Sequence, residues 1–513
     1  MMKIVPVKIQ GLKCLIDDLS VKKHFESSES KFTKVYGVAP HRTGGLENGR
    51  MMWQKITQKI YKSVPKKGFW VGFGGIMWLN SHSEDISFRI TEILPSRGSI
   101  RDPLLIPDEL KNSSKFKVKG KERFYFYEAL SACFIKPQGT IKLPTGGGKT
   151  FIEIILAYNQ SNYIGTGMIL VPTLIIKDQF IESANKIGIK IIDYKDLESK
   201  IPKGTIFIST HHIICSDLNN KEKKQSTLTK LNLVDWVILD EVAHATSNSW
   251  FEILLNLNNC QRCHGFSALP VAYETNGSSF DEMNSDDART IGIIGSVIYE
   301  KSADDLREFL NLPELITLPY TWPPGNNSTN WAEVRNLITE NKDRTEFLAQ
   351  IFNFFVSNGY KVATFVSQKK HAEEILKYCN NPKVACWFGS GVAFTIDQEI
   401  EPENLKKDFG TKYLGLILTS HGIEGLDFDN PLNVLILHEG KSVRQTVQKV
   451  GRIVRPDSKP SIILNLVDKG CNILNKHSKI RNEDIINEFR SSIISCTSLV
   501  ELKEAITSIE TKV

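Results

Sequence analysis

The sequence predicts an α/β protein: two tandem parallel-sheet domains preceded by a small α+β N-terminal domain. Three observations carry this. From residue 121 onward, short Val/Ile-rich runs alternate with helical patterns, and the runs are continuously apolar, as strands buried on both faces must be. The run TIKL passes straight into LPTGGGKT, residues 143–150, and then into the helical pattern FIEIILAY; this is the strand–glycine loop–helix order of a phosphate-binding loop. The stretch TWPPGNNSTN, residues 321–330, is rich in Pro and Asn and reads as an interdomain linker that splits the alternation into two series.

Taken in order, residues 1–120 form the first domain. KIVPVKIQ, GFWVGFGGIMWLN and ISFRITEIL have strand character, and GRMMWQKITQKIYKSV, residues 49–64, repeats its apolar residues at helical spacing. The aromatics Trp53, Phe69, Trp70, Phe73 and Trp78 are core residues, or stacking platforms for exposed bases. KNSSKFKVKGKER, residues 111–123, reads as a basic linker or strand edge. Residues 121–322 form the second domain, with strands TIKL, GMILVP, GTIFIST and WVILDE, and a polar loop at 273–288. Residues 323–513 form the third, with strands KVATFVS, YLGLILTS, NVLILHE and SIILNLV and helices NKDRTEFLAQIFNFFVSNG and HAEEILKYC.

Net charge is +6 over 513 residues, but residues 1–120 hold 21 Lys/Arg against 11 Asp/Glu and so carry +10, leaving the rest at −4. A basic N-terminal third points to a polyanionic partner; a solvated basic surface is the plainer alternative. No run reaches the roughly 18 apolar residues of a membrane span. The N-terminus lacks the apolar core of a signal peptide, so a cytoplasmic protein is expected. Nine scattered cysteines fit a reducing compartment. Cys260-x-x-Cys263-His264 has the spacing of haem attachment but no export signal, and no second pair completes a zinc site; it reads as thiols without metal.

The chemistry gathers where strands end, the edge at which parallel sheets bind ligands. Gly146, Gly147 and Gly148 let backbone N–H groups turn toward a polyphosphate, and the helix that follows adds its positive end. Lys149 reaches β- and γ-phosphates and Thr150 suits Mg²⁺. The general phosphate-loop pattern has a glycine where this chain has Leu143. In DEVAH, residues 240–244, Asp240 suits metal binding and Glu241 suits orienting water. Pro172-Thr173 and Thr210 end two further strands. Arg452 and Arg455, in QKVGRIVR, lie three apart on one helical face and suit charge developing on a γ-phosphate.

Together these stretches resemble the superfamily 2 helicases and translocases, over residues 121–470. LPTGGGKT resembles motif I, LVPT motif Ia, the ST of Ser209-Thr210 motif Ib and DEVAH the DExH form of motif II. SALP (267–270), FVS (365–367), TSHGIEGLDF (419–428) and QKVGRIVR (448–455) resemble motifs III to VI. The resemblance implies two RecA-like domains with ATP and Mg²⁺ between them. Thr145, Gly146, Gly147, Gly148, Lys149, Thr150, Asp240 and Glu241 would bind and hydrolyse ATP from one side. Gly425, Asp427, Gln448, Arg452 and Arg455 would close from the other. His244 and Ser267 would couple hydrolysis to closure, and Pro172, Thr173, Thr210, Ser367 and Thr419 would grip the nucleic-acid backbone. Two positions depart from the pattern. Leu269 replaces a threonine in motif III. In RFYFYEAL, Phe126 stands where the family has an adenine-reading glutamine, which leaves the strictness of ATP preference open.

A compact motor with a basic N-terminal domain, and the IGIIGSVIYE stretch (291–300) after motif III, further resembles the UvsW-type phage recombination helicases, which regress forks, migrate branches and anneal DNA. The expected partner is therefore DNA: forks, junctions or single strands. The rivals are an RNA helicase, the motor of a restriction or defence nuclease, and a nucleic-acid-binding module without ATPase activity.

Overall fold

The computed structural model describes residues 3–10, 12–16, 18, 20–21, 26–33, 52–59, 61–64, 68–72, 86–94, 100–111, 116–118, 120–198, 201–244, 247–268, 290–292, 294–323, 330–388, 391–419, 432–440, 446, 450 and 459–511, and every statement of absence below is made of these. The chain divides into two compact units, one of Met1–Lys142 with Thr150–Glu300, the other of Leu143–Lys149 with Lys301–Val513.

The first unit begins with β1 (Lys3–Gln10), β2 (Lys13–Ile16), β3 (Glu26–Thr33), β4 (Met52–Lys59), β5 (Tyr61–Val64), β6 (Gly68–Gly72) and β7 (Ile86–Leu94). Five of these form a sheet in the order β5-β6-β2-β1-β7, while β3 and β4 pair by themselves. The helix expected over 49–64 is not there: its described residues, 52–59 and 61–64, form β4 and β5. All eight residues of β4 pair with β3, from Glu26↔Lys59 to Thr33↔Met52. Trp53, Ile56, Thr57 and Tyr61 suit a pleated surface, and backbone pairing with a partner strand outweighs a helical spacing of apolar residues. The side chains of Trp53, Phe69, Trp70, Phe73 and Trp78 lie outside the described residues. The basic stretch expected as a linker contains a short hairpin, β8 (Lys117–Val118) with β9 (Lys121–Glu122), beside a buried Phe116.

The second sheet of this unit comprises β10 (Gln138–Lys142), β11 (Gly167–Val171), β12 (Ile192–Asp193), β13 (Ile206–Thr210), β14 (Trp236–Asp240), β15 (Arg262–Ser267) and β16 (Val297–Glu300). It is parallel throughout, in the order β12-β13-β11-β14-β15-β10-β16. Every residue of β11, β13, β14 and β15 is buried, as continuous apolar strands between helices should be. The helices are α1 (Tyr125–Ile135), α2 (Lys149–Tyr163), α3 (Leu174–Asn185), α4 (His211–Asn219), α5 (Lys224–Leu231) and α6 (Asn248–Leu255). Leu12 of the N-terminal domain joins the buried cluster of Met168, Leu170 and Phe207, so that domain shares the core of this sheet. Residues 100–105 also bind it: Ile100 N–H donates to Phe134 O at 3.0 Å, and Leu105 exchanges two 2.8 Å bonds with the Asn159 side chain.

The second unit is built on β17 (Glu314–Thr321), β18 (Val362–Val366), β19 (Val384–Phe388), β20 (Val392–Phe394), β21 (Glu399–Ile400), β22 (Gly415–Thr419), β23 (Val434–Leu437), β24 (Ile462–Lys469) and β25 (Ile493–Ser495). They form one sheet in the order β21-β20-β19-β22-β18-β23-β24-β17-β25, antiparallel only along β19-β20-β21. Its helices are α7 (Trp331–Glu340), α8 (Lys342–Ser357), α9 (Lys369–Cys379), α10 (Pro402–Asp408), α11 (Asn472–Phe489) and α12 (Leu499–Glu510). The strands and helices expected for this half are present. The linker is not where it was expected to start. β17 runs through Thr321 and pairs along its whole length with β24, so it joins the second sheet rather than the first. An apolar run such as LITL carries no mark of which sheet it will join.

A polar cluster lies buried in this unit. The Arg344 guanidinium binds both oxygens of Asp468, at 2.7 and 2.9 Å, and Trp322 Nε1 donates to the same carboxylate at 2.6 Å. Burial alone would lower Arg344, but Asp468 outweighs it and holds the guanidinium above its ordinary value. Burial pulls its neighbour Arg481 down to about 10. Among the described residues no helix is long and apolar enough to cross a membrane.

Candidate nucleotide site and nucleic-acid edge

Register places the motif residues. Lys142 pairs with Ser267, Phe266 with Asp240, Leu239 with Leu170, and Val171 with Thr210. The carboxyl ends of five adjacent strands are therefore level, and the glycine loop, DEVAH, Pro172-Thr173 and Thr210 all leave from one rim. From Lys142 the chain enters the glycine loop directly. Gly146 and Gly148 have φ of +82° and +79°, a backbone that glycine adopts without strain. A Cβ on Gly147 would sit 2.9 Å from Pro144 O, so the loop has no room for a side chain there. Lys149 is 9% exposed, and its ammonium donates to Leu143 O at 3.3 Å and Pro144 O at 3.5 Å. Among the described residues it has no carboxylate partner. A buried cation resting only on long bonds to neutral carbonyls is short of counter-charge, and an anion would supply it. Thr150, half-buried in the first turn of α2, has its hydroxyl without a partner among the described residues.

The acidic pair differs by environment. Asp240 is buried at the end of β14. Glu241 has a left-handed backbone, φ +47°, and accepts a 3.1 Å hydrogen bond from Ser267 Oγ. The Ser267 hydroxyl thus touches the carboxylate expected to orient water. Sequence reasoning missed the residue that makes this possible. A Cβ on Gly265 of β15 would meet Val242 Cγ2 at 2.6 Å, so DEVAH packs flush on a glycine; a lone glycine inside an apolar strand is the signal that marks it. The side chain of His244, and Leu269, lie outside the described residues. Gly425, Asp427, Gln448, Arg452 and Arg455 do too.

Phe126 is fully buried in α1, edge-on to Phe116 at 5.8 Å and to Tyr125 at 5.1 Å. It is a core residue with no polar atom to offer a base. Cys260, Cys263 and His264 are also buried. His264 is engaged by Lys136 O at 2.8 Å and Gln160 Nε2 at 3.2 Å; burial, and then the nearby Arg262, lower it to about 3.

The five residues expected to grip nucleic acid fall into two groups, one in each unit. Pro172 and Thr173 follow β11 and Thr210 ends the neighbouring strand β13; Thr173 Oγ1 accepts from Ile176 N–H at 3.4 Å and so caps α3. Ser367 follows β18, and Thr419 ends the neighbouring strand β22. Ser367 is exposed, but both its donors point to Glu439.

The resemblance to superfamily 2 helicases and translocases drawn from the motifs is borne out by comparison with known proteins. Residues 123–272 match the family model described as Type III restriction enzyme, res subunit. The chain is similar to "Putative helicase 22" of Sulfolobus islandicus filamentous virus, at 25% identity over 62% of this chain and 58% of that protein; it thus spans little more than half of that relative's length. It is 22% identical to "DNA 3'-5' translocase XPB2" of Sulfurisphaera tokodaii, over 69% of this chain and 83% of that one. In fold it matches S. cerevisiae Dbp5 bound to RNA and ADP BeF3, with a TM-score of 0.51 at 16% identity, covering 79% of this chain and 98% of that one. Phage T4 UvsW covers 96% of this chain and 100% of its own, at 16% identity and a TM-score of 0.39, too loose a superposition to carry weight.

Proposed function

We propose that the protein is an ATP-driven DNA helicase or translocase that remodels branched DNA in replication or recombination. One observation carries the ATP half: a buried lysine resting on two neutral carbonyls at the end of a loop whose Gly146 and Gly148 take positive φ, a backbone that suits a polyphosphate. Lys149 meets the β- and γ-phosphates. Thr150 and Asp240 suit Mg²⁺, which would neutralise charge as phosphoryl transfer proceeds. Glu241, steadied by Ser267, orients the attacking water, and His244 passes the state of the site onward. Gly425, Asp427, Gln448, Arg452 and Arg455 take the roles that the motif resemblance gives them, the arginines stabilising developing γ-phosphate charge.

The DNA half is supported by the relative named as a DNA translocase, which aligns over most of this chain, and by the +10 balance of residues 1–120. The branched substrate follows from that basic domain: holding a junction requires grip on duplex arms as well as on the tracked strand. The res-subunit family description favours one second reading, the motor of a restriction nuclease. The deciding experiment measures ATP turnover with single-stranded DNA, duplex, fork, Holliday junction and RNA. Strongest stimulation by forks or junctions supports the proposal; strongest stimulation by RNA, or none by any nucleic acid, ends it. Because Phe126 has no hydrogen-bonding atom to read adenine, turnover of GTP is expected within about tenfold of ATP, well short of the discrimination of a site that hydrogen-bonds its substrate. A preference of more than about 10³ for ATP would place base reading elsewhere.

A further inference from the structure

We propose that the Glu439 carboxylate stands in the place of a backbone phosphate at the Ser367 turn, so that nucleic acid and Glu439 compete for one pair of donors. The inference deepens the nucleic-acid reading above and rests on it. Ser367 follows β18, next to Thr419 at the end of β22. Its main-chain N–H donates to Glu439 Oε1, and its Oγ donates to Oε2 at 3.1 Å. An amide N–H and a hydroxyl converging on two oxygens of one anion are also the donors that proteins offer a phosphate.

Glu439 is no stray surface acid. It is 7% exposed. The carbonyls on either side of it are held by buried guanidiniums: Arg344 Nη2 donates to His438 O at 2.9 Å, and Arg481 Nη1 donates to Gly440 O at 2.7 Å. The charge of Glu439 is felt by both arginines. The fold therefore delivers an anion to these donors and fixes the backbone that carries it. While the pair is closed, Ser367 has spent its hydroxyl and amide hydrogens. A phosphate that approaches also meets a like charge. Engagement of a strand at this turn requires the carboxylate to leave, and Glu439 sets how tightly the second unit holds a strand.

The test uses the full-length chain and a labelled single-stranded oligodeoxynucleotide, read by fluorescence anisotropy across a salt series. Glu439→Gln removes the competing charge and is expected to bind about tenfold tighter, a modest share of what a like-charge juxtaposition costs. Its salt slope should steepen by about 0.7, one further phosphate on a single strand. Ser367→Ala should cost at least about threefold more affinity in the Glu439→Gln background than in the wild type, a coupling that separates competition from bracing. Unchanged or weaker binding by a Glu439→Gln variant with native circular dichroism overturns the proposal, as does an equal cost of Ser367→Ala in both backgrounds. If Glu439→Gln does not fold, Glu439→Asp serves; its shorter arm keeps the charge near the arginines but cannot span both donors, and the same sign is expected. A wild-type protein that binds no oligonucleotide would overturn the nucleic-acid reading itself, a different failure from a wild type that binds while Glu439→Gln gains nothing.

Discussion

Replacing Lys149 with alanine should separate stability from turnover. The ammonium has two described partners, Leu143 O at 3.3 Å and Pro144 O at 3.5 Å. Both bonds are long and both acceptors neutral, so together they contribute about 1 kcal/mol. Alanine in the first turn of α2 returns a few tenths of that, about 0.3 kcal/mol, through helix propensity. The net loss is under about 1 kcal/mol, a shift of roughly 2–4 °C in melting temperature for a unit of this size. Catalysis should respond on another scale. Losing one contact that strengthens with charge in the transition state typically costs about 10²-fold or more, near 3 kcal/mol. The assay is ATP turnover at saturating single-stranded DNA, paired with thermal denaturation of the same preparation. A folded variant that turns over ATP within about threefold of wild type would refute the assignment of the loop. A fall of more than about 10 °C in melting temperature would show the lysine to be structural.

Three further outcomes are expected. Asp468→Asn leaves the fully buried Arg344 without its counter-charge and should cost about 3–5 kcal/mol in urea unfolding of the second unit; a loss under about 1 kcal/mol would mean that other groups neutralise the arginine. His264 and His371 are both lowered to about 3, by burial first and then by Arg262 and Arg344 respectively. A folded value below the unfolded one keeps the full contribution above about pH 6.5 and loses it as pH falls toward 3, at up to about 1.4 kcal/mol per pH unit per histidine; His264→Gln should flatten that decline, and an unchanged slope would sink the assignment. Deleting residues 1–94, which keeps the bonds of Ile100 and Leu105 to the parallel sheet, should preserve turnover stimulated by single strands while flattening the salt slope of junction binding by several units, at about 0.9 per phosphate; an unchanged slope in a well-folded truncation would make the basic domain a solvated surface.

The parallel-sheet fold was legible because its strands carry a two-sided burial pattern that polar residues cannot mimic. Apolar runs such as MILV, IFI and WVIL in β11, β13 and β14 have few alternatives, and the glycine loop follows a strand and opens a helix. β4 was not legible. Its Met52 and Ile56 fit a helical stripe as well as a strand, and its partner β3, Glu26–Thr33, is polar and distant in sequence. β17 read correctly as apolar but not as a member of the second sheet, since pairing with β24 lies 148 residues away at Glu314↔Ile462. At the site, Lys149, Asp240 and Glu241 announce themselves by their neighbours. Glu439 does not. Its importance comes from Ser367, Arg344 and Arg481, which are brought to it by three separate elements.

The left-handed backbone at Glu241, φ +47°, sets folding against the role proposed for its carboxylate. Asn and Gly occupy that region at lower cost than a long side chain, by about 1 kcal/mol. A screen that rewards heat resistance alone would therefore drift toward Glu241→Asn or Glu241→Gly and enrich for well-behaved proteins that no longer place a carboxylate beside Ser267. Glutamate at this position sits against the grain of the backbone, and any programme to stabilise the protein has to hold it fixed by hand.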